Sequence, residues 1–479
     1  MSFRTCEVVR PANPGNGVIH PQPSSPLPDG YVEDELFVGG TATRFEPVDT
    51  PADGAWTVEA DGTAPYRTRV IVRRPPADRF SGTVVIEWLN VSAIEASPDW
   101  AYLSEAIGWA GDAYVAVSTQ AQGIEGGRTL LEVAPGAATR AGAGDGTAKN
   151  GLRHVDPLRY GTLTHPGDAY SYDIFSQVGR AVAADQGDIL GGLHASRVLA
   201  VGESQSAAFL STLVNAVHPI DPVFDGFLIH SRGAGVAPLD GRYERSRSTE
   251  QIAGRPVLIR TDLDVPVFLF ETETDLTLLG YAGARQPDTD RIRTWEVAGT
   301  SHADAHQIRS IIGGPRDPGV GSLVGCRNPI NTGPHHEVIQ AAFHHLTAWT
   351  AGGPPPPRGR RLELDNGEKV AIARDRHQIA LGGVRNPLVD VPVAATIGDP
   401  PGDGSIDDLI DAEAGVCALF GQTIPFDHAT LIDLYGNADA YVAAFRASAA
   451  TAVADGYLLQ GDADQLIAEA EANRTLFDG

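Results

Sequence analysis

The feature that most constrains the fold is a series of short apolar runs, rich in β-branched residues, separated by stretches with helical spacing. GTVVIEWLN (Gly82–Asn90), AYVAVSTQ (Ala113–Gln120), RVLAVGE (Arg197–Glu203), FDGFLIHSR (Phe224–Arg232), VPVFLFETET (Val265–Thr274) and RIRTWEVAG (Arg291–Gly299) are the runs. A strand apolar on both faces belongs in a parallel sheet covered by helices on each side, so the fold class is α/β with a mostly parallel sheet. YRTRVIVRR (Tyr66–Arg74) alternates and stops at Pro75-Pro76, which predicts a strand near an edge. Ser97-Pro98-Asp99 predicts the cap and first turn of a helix over Trp100–Trp109, and AYSYDIFSQVGRAVAA (Ala169–Ala184) predicts another.

HHEVIQAAFHHLTAWTAGG (His335–Gly353) predicts a helix stopped by Gly352-Gly353 and the run Pro354–Pro357. That proline run marks a boundary. Residues 1–353 read as the core, with an N-terminal β extension and a long 121–164 loop. Residues 354–479 read as a hairpin, signalled by Asn366-Gly367, and helices packed on the core as a cap. A loop as long as 121–164 in a compact domain is usually functional.

The 479 residues carry a formal net charge of −25, which excludes nucleic acid and anionic membrane surfaces as partners. No window has the apolar length of a membrane span, and the residues after Met1 lack the apolar centre of a secretory signal. Cys6, Cys326 and Cys417 are too few and too scattered for a disulfide framework, so buried free thiols are expected over a Cys326–Cys417 bridge. The expected location is the cytoplasm. Oligomeric state is not legible.

Gly202-Glu203-Ser204-Gln205-Ser206 joins a buried strand to an Ala/Leu-rich helix. It matches the nucleophile elbow G-x-S-x-G except at its last position. The turn is so tight that the residues two before and two after the serine must be small. Alone, such a motif is common and a plain turn explains it. Its place at a strand-to-helix junction favours catalysis.

A serine needs a base to take its proton and an acid to orient that base, in the chain order Ser, acid, His. VPVFLFETETD ends a strand with Glu271, Glu273 and Asp275, and the next strand ends in Thr300-Ser301-His302. His302 is the candidate base. Asp275 is the choice of acid, with Glu273 the rival. All lie outside the carboxyl ends of parallel strands, where such sheets place their sites. The oxyanion hole needs two backbone N–H groups: Gln205 supplies one, and Asn90 or Val91 the other. His302-Ala303-Asp304-Ala305-His306 offers a rival metal site if extended, but no second ligand cluster accompanies it. No metal is assigned. Nucleotide-binding glycine loops are missing, so no cofactor is expected.

The sequence resembles the α/β-hydrolase superfamily, and within it a large bacterial and fungal group called "alpha/beta hydrolase domain" proteins. VVIEWLN, RYGTLTHPGDAYSYDIFSQVGRAV, VGESQSA, VPVFLFETETDL, WEVAGTSHAD, NTGPHHEVIQAAFHHLTAWTAGGPPP and GGVRNPLVDVPVA carry the resemblance. It implies an eight-strand sheet, Ser204 as nucleophile, His302 as base and an acid from the ETETD loop. It also implies ester hydrolysis or a close relative without cofactor, and makes Ser206 the group's own form of the elbow.

The expected activity is a serine carboxylesterase or lactonase acting on a small or medium ester. The alternatives are acyl transfer or a lyase reaction on the same residues, a non-catalytic binding scaffold, and metal-dependent hydrolysis through His302, Asp304 and His306. Trp88, Tyr170, Tyr172 and Phe420 are candidate pocket walls, and Arg232 a candidate partner for a substrate carboxylate.

Overall fold

The computed structural model describes residues 6–478 apart from 17–25, 93–94, 128–150, 186–187, 243–254, 313–318, 320–325, 327–328, 368 and 399–414. Much of the 121–164 loop therefore lies outside the described residues.

Among the described residues nine strands form one sheet: β1 (Glu7–Val9), β2 (Val32–Asp49), β3 (Thr57–Arg74), β4 (Thr83–Trp88), β5 (Ala113–Val117), β6 (Arg197–Glu203), β7 (Gly226–His230), β8 (Val267–Glu271) and β9 (Ile292–Glu296). Their order is β1-β2-β3-β5-β4-β6-β7-β8-β9, with β5 through β9 parallel and the β1–β3 end antiparallel. The ninth strand beyond the eight expected is the three-residue β1.

β3 lies near the β1 end of the sheet, as expected, and meets β5 only over Val70–Arg73. It is 18 residues long and pairs with β2 along that length before β5 takes its other side. The prolines stop it only after its last pair, Val32 with Arg74, so they never meet the ladder.

Every residue of β4, β5, β7, β8 and β9 is buried, because helices cover both faces. Helix α1 (Pro98–Ala110) lies on one face. On the other lie α2 (Ser171–Ala183) and α3 (Gln205–Thr212), whose Phe175, Val178, Phe209 and Leu210 join Ile86 and Val115 in the larger core. α4 (Glu273–Thr277) and α5 (Ala305–Ile312) are short helices after β8 and β9. Helix α6 (His335–Thr350) joins α1 on its face, packing Val338, Ile339 and Phe343 with Leu103 and Ile107.

The start of α1 shows how polar groups are satisfied at this depth. Pro98 at the first turn needs no N–H acceptor, and Ser97 makes no side-chain cap. The buried Glu87 carboxylate does the capping instead, accepting from the Asp99 and Trp100 N–H groups at 3.1 and 3.0 Å.

The chain after Pro357 forms the hairpin of Leu364–Asn366 with Val370–Ile372, a second pair of Ala394–Ile397 with Gln422–Pro425, and two packed helices, α7 (Ala438–Ala454) and α8 (Gln460–Ala472). α7 and α8 share their own small core of Tyr441, Phe445, Leu458 and Leu466. They meet α6 through Gln340 donating to Asp462 at 2.9 Å, and through His345 and the Gly456 carbonyl at 2.8 Å.

Cys326 and Cys417 form a disulfide, with Cα atoms 5.5 Å apart. The expectation of thiols is thus corrected for this pair, while Cys6 keeps a buried thiol against the Gln177 carbonyl. The two lie 91 residues apart in sequence, so spacing could not reveal that the fold brings them together. A reducing cytosol keeps such pairs as thiols, so the bridge and the cytoplasmic expectation pull in opposite directions. Among the described residues, no helix is long and apolar enough to cross a membrane.

Candidate active site

The junction of β6 and α3 forces Ser204 into φ 60°, ψ −117°, a region that L side chains rarely adopt. Its N–H donates to the His230 carbonyl at 2.9 Å, which fixes the turn on β7. A Cβ on Gly202 would sit 3.2 Å from the Ser206 Cβ and 3.3 Å from its backbone. This crowding is why Gly202 has no side chain and position 206 is small. Within Gly202–Ser206, Ser204 alone is half-buried and the others are buried.

The Ser204 hydroxyl lies 2.7 Å from His302 Nε2, and His302 Nδ1 lies 2.6 Å from Asp275 Oδ1. Asp275 sits in the first turn of α4, not in an open loop. Its Oδ2 accepts from the Thr272 N–H and hydroxyl, both at 2.7 Å, while Thr272 caps the Asp275 N–H. This reciprocal cap fixes the carboxylate's plane and leaves Oδ1 for the imidazole.

Burial pushes the Asp275 carboxyl up, but the His302 charge and the hydrogen bonds from His302 and Thr272 bring it below the usual carboxylate value. Burial pulls the His302 imidazole down, and Asp275 outweighs it with help from Glu203, so His302 is raised above 6.5.

Glu273 has another task. Its carboxylate accepts from Gly299 N–H at 2.5 Å, Gly398 N–H at 2.8 Å and Arg374 at 2.6 Å. It ties the turn before His302 to the C-terminal extension, pointing away from the imidazole that Asp275 occupies.

The Asn90 N–H donates to the Ala96 carbonyl at 2.9 Å, so it is committed and does not face Ser204. The Val91 N–H does face the elbow, donating to Gln205 Oε1 at 3.3 Å. Gln205 opens α3, where a backbone N–H has no helical acceptor. Val91 and Gln205 are therefore the candidate backbone donors at the elbow.

Trp88 and Tyr172 are corrected as pocket walls, and Arg232 as a partner for a substrate carboxylate. Trp88 is fully buried, with ring centres 5.0 Å from Phe175 and 5.3 Å from Phe209, and its Nε1 donates to Gln120. Tyr172 is buried with its hydroxyl donating to the Pro238 carbonyl at 2.9 Å. Arg232 is wholly buried, donating to Ser211 and the Val257 carbonyl and lying over Tyr281. These side chains are large enough to fill the core under the site and have no surface left for a substrate. Tyr170 is half-buried at the start of α2, against Tyr66 and Ile174. Phe420 packs with Ala303 and Ile308 beside the disulfide.

The metal alternative fails on side-chain direction. His302 faces Ser204 and Asp275; Asp304 accepts from the Tyr102 hydroxyl and caps α5 through the Gln307 N–H; His306 meets the Ala101 carbonyl. The segment turns into a helix at Ala305, so the extended geometry that would align the three is not there.

Three groups near the site were missed: Glu203, Asp99 and the pair His230–His335. Glu203 Oε1 lies 3.5 Å from His302 Nε2, and burial pushes its carboxyl up to about 8 against the opposing pull of His302. His230 at the end of β7 offered the one sequence signal, a histidine closing an apolar strand at the level of the elbow.

The family model described as "Alpha/beta hydrolase domain" matches residues 10–468. No curated protein matches the sequence. Among solved structures, the chain is similar to fungal esterases from Rhizomucor miehei, at 11% identity over 68% of this chain and 86% of that one, TM-score 0.32. It is also similar to an α/β serine hydrolase without a lid from Xanthomonas campestris, at 12% identity over 59% and 92%, TM-score 0.28. A third is carboxyl esterase 2 from Tuber melanosporum, at 12% over 59% and 84%, TM-score 0.28.

Proposed function

The chain belongs to the alpha/beta hydrolase domain family, and from that premise we propose that it is a serine carboxylesterase or lactonase acting on a small or medium ester. The observation that carries the reading is the continuous line Ser204 Oγ–His302 Nε2, His302 Nδ1–Asp275 Oδ1, at 2.7 and 2.6 Å.

His302 accepts the Ser204 proton as the oxygen attacks the ester carbonyl. Asp275 holds the imidazole in the tautomer that leaves Nε2 free to accept, and stabilises the imidazolium that forms. The Val91 and Gln205 N–H groups receive the negative charge of the tetrahedral intermediate, for which the Gln205 side-chain oxygen must give up the Val91 donor. His302 then protonates the leaving alkoxide. Water, deprotonated by the same imidazole, releases the acid from Ser204. The extension after residue 353 supports the base loop in this scheme, through Glu273, Gly398 and Phe420.

Turnover of a panel of p-nitrophenyl esters and lactones tests the reading. Ser204→Ala and His302→Ala should each lose roughly 10⁴-fold or more in kcat. Full activity in Ser204→Ala would overturn it.

A further inference from the structure

Behind the line of Ser204, His302 and Asp275 runs a second chain of buried polar groups that the reaction above does not use. His230 Nδ1 lies 2.9 Å from Asp99 Oδ1, His230 Nε2 lies 2.7 Å from His335 Nε2, and His335 Nδ1 lies 3.0 Å from the Ser301 carbonyl. Asp99, His230, His335 and Ser301 are all inaccessible to solvent. The His335 ring is clamped between Tyr102 at 4.3 Å and Phe270 at 5.2 Å, both nearly parallel to it.

The two ends of this chain matter. The His230 carbonyl accepts the Ser204 N–H at 2.9 Å, so one end holds the nucleophile's own residue. The Ser301 carbonyl belongs to the residue just before His302, so the other end holds the base. β7 and β8 separate the two loops in the sheet, and the chain spans that gap.

The protons can be placed by what each group accepts. A carbonyl only accepts, so His335 Nδ1 carries a hydrogen and, in the neutral ring, its Nε2 is bare. His230 Nε2 must then carry the hydrogen between the two rings. That leaves one further proton on the Asp99–His230 pair. Burial, which pushes Asp99 up to about 8 and His230 down to about 3, keeps it on the carboxyl.

We propose that His230 and His335 are positioning residues that lock the His302 loop against the nucleophile elbow through the single proton shared by their Nε2 atoms. The proposal rests on the serine hydrolase reading for its effect on rate, but not for the bridge itself. The links act in series: breaking either one frees the base loop as much as breaking both.

The amide of glutamine reproduces an ε nitrogen and that of asparagine a δ nitrogen, which makes the links separable. His335→Asn keeps the Ser301 bond and loses the His230 link; His230→Asn loses the same link from the other side. Each should lower kcat roughly 10- to 100-fold with KM within about twofold, the scale of a small misplacement of reacting groups. The double variant should be no slower than either single one. His230→Gln, which retains the ε donor, should restore most of the rate. A purely structural role would lower the melting temperature of the folded variants while leaving kcat unchanged, or would give losses that multiply; either result overturns the proposal.

Nitrogen-15 NMR of histidine-labelled wild-type protein tests the bridge without any variant. It should show His335 Nδ1 protonated and one proton between the two ε nitrogens. Two bare or two protonated ε nitrogens would overturn it. If Ser204→Ala proves active while that proton is found, the hydrolase reading has failed and the bridge has not.

Discussion

The proposed nucleophile and the proposed base of this site are held by different physics. Ser204 is set by backbone sterics within five consecutive residues: the end of a strand, a serine in a strained conformation, and Gly202 and Ser206 too small to clash. His302 is set by long-range side-chain bonds. Thr274 accepts from its N–H at 3.2 Å, Glu273 holds the Gly299 turn, and Asn331 donates to the Gly299 carbonyl at 3.1 Å. The C-terminal extension closes over the same loop, where Ala303 donates to the Leu419 carbonyl at 3.0 Å and Ser301 to that of Phe420 at 3.2 Å. The Cys326–Cys417 bridge packs beside these contacts, with Ala303, Ile308 and Phe420 around it. An elbow is local and therefore rigid by construction; a base loop of this kind is only as firm as the segments that reach it.

The largest expected effect comes from the base side. Asp275→Asn should lower kcat roughly 10⁴-fold, because the amide favours the wrong tautomer of His302. The base works only when neutral, so kcat/KM falls as pH drops through the His302 value. Asp275 raises that value, so the acid limb of the wild type should lie above pH 6.5 and move down in Asp275→Asn; a pH–rate profile checks both.

Next come the ties of the base loop. Replacing Cys326 and Cys417 with serine should cost up to about 4–5 kcal/mol of stability, for a loop of this length, and lower activity before the sheet unfolds. Thermal melts alongside turnover would show it, and equal loss of both signals would mean the bridge does nothing particular for the loop. Glu273→Gln separates the two carboxylates. It should cost about 3 kcal/mol, because the fully buried Glu273 loses its charge pairing with Arg374, yet keep kcat within about tenfold, unlike Asp275→Asn. A collapse of kcat with intact folding would make Glu273 the acid instead.

The smallest effect belongs to the elbow. Among the described residues the buried Ser206 hydroxyl has no hydrogen-bond partner, so Ser206→Gly gives up little but helix propensity. Stability should change by less than about 1 kcal/mol and turnover should stay within a few-fold, measured by denaturant melts and ester hydrolysis.

The same contrast explains what could be read from the sequence. The parallel strands were legible because an apolar β-branched run is a local signal, and the elbow because its steric demands fall on five neighbouring residues. The spacing of ETETD and GTSHAD after successive strands pointed to the groups that the fold brings beside Ser204. Choosing between Glu273 and Asp275 was harder, since their roles divide on contacts with Arg374 and Gly398, about a hundred residues away in the chain. The disulfide, the His230–His335 contact and the burial of Trp88, Tyr172 and Arg232 are likewise products of tertiary packing. A pattern of residue types cannot distinguish an aromatic that walls a pocket from one that fills the core beneath it.

Whether Ser204 is the activated nucleophile is decided by fluorophosphonate labelling read by peptide mass spectrometry. A single adduct is expected, on Ser204, forming in step with loss of ester turnover and far more slowly in His302→Ala. Ester turnover that survives the probe, with Ser204 unmodified, would contradict it.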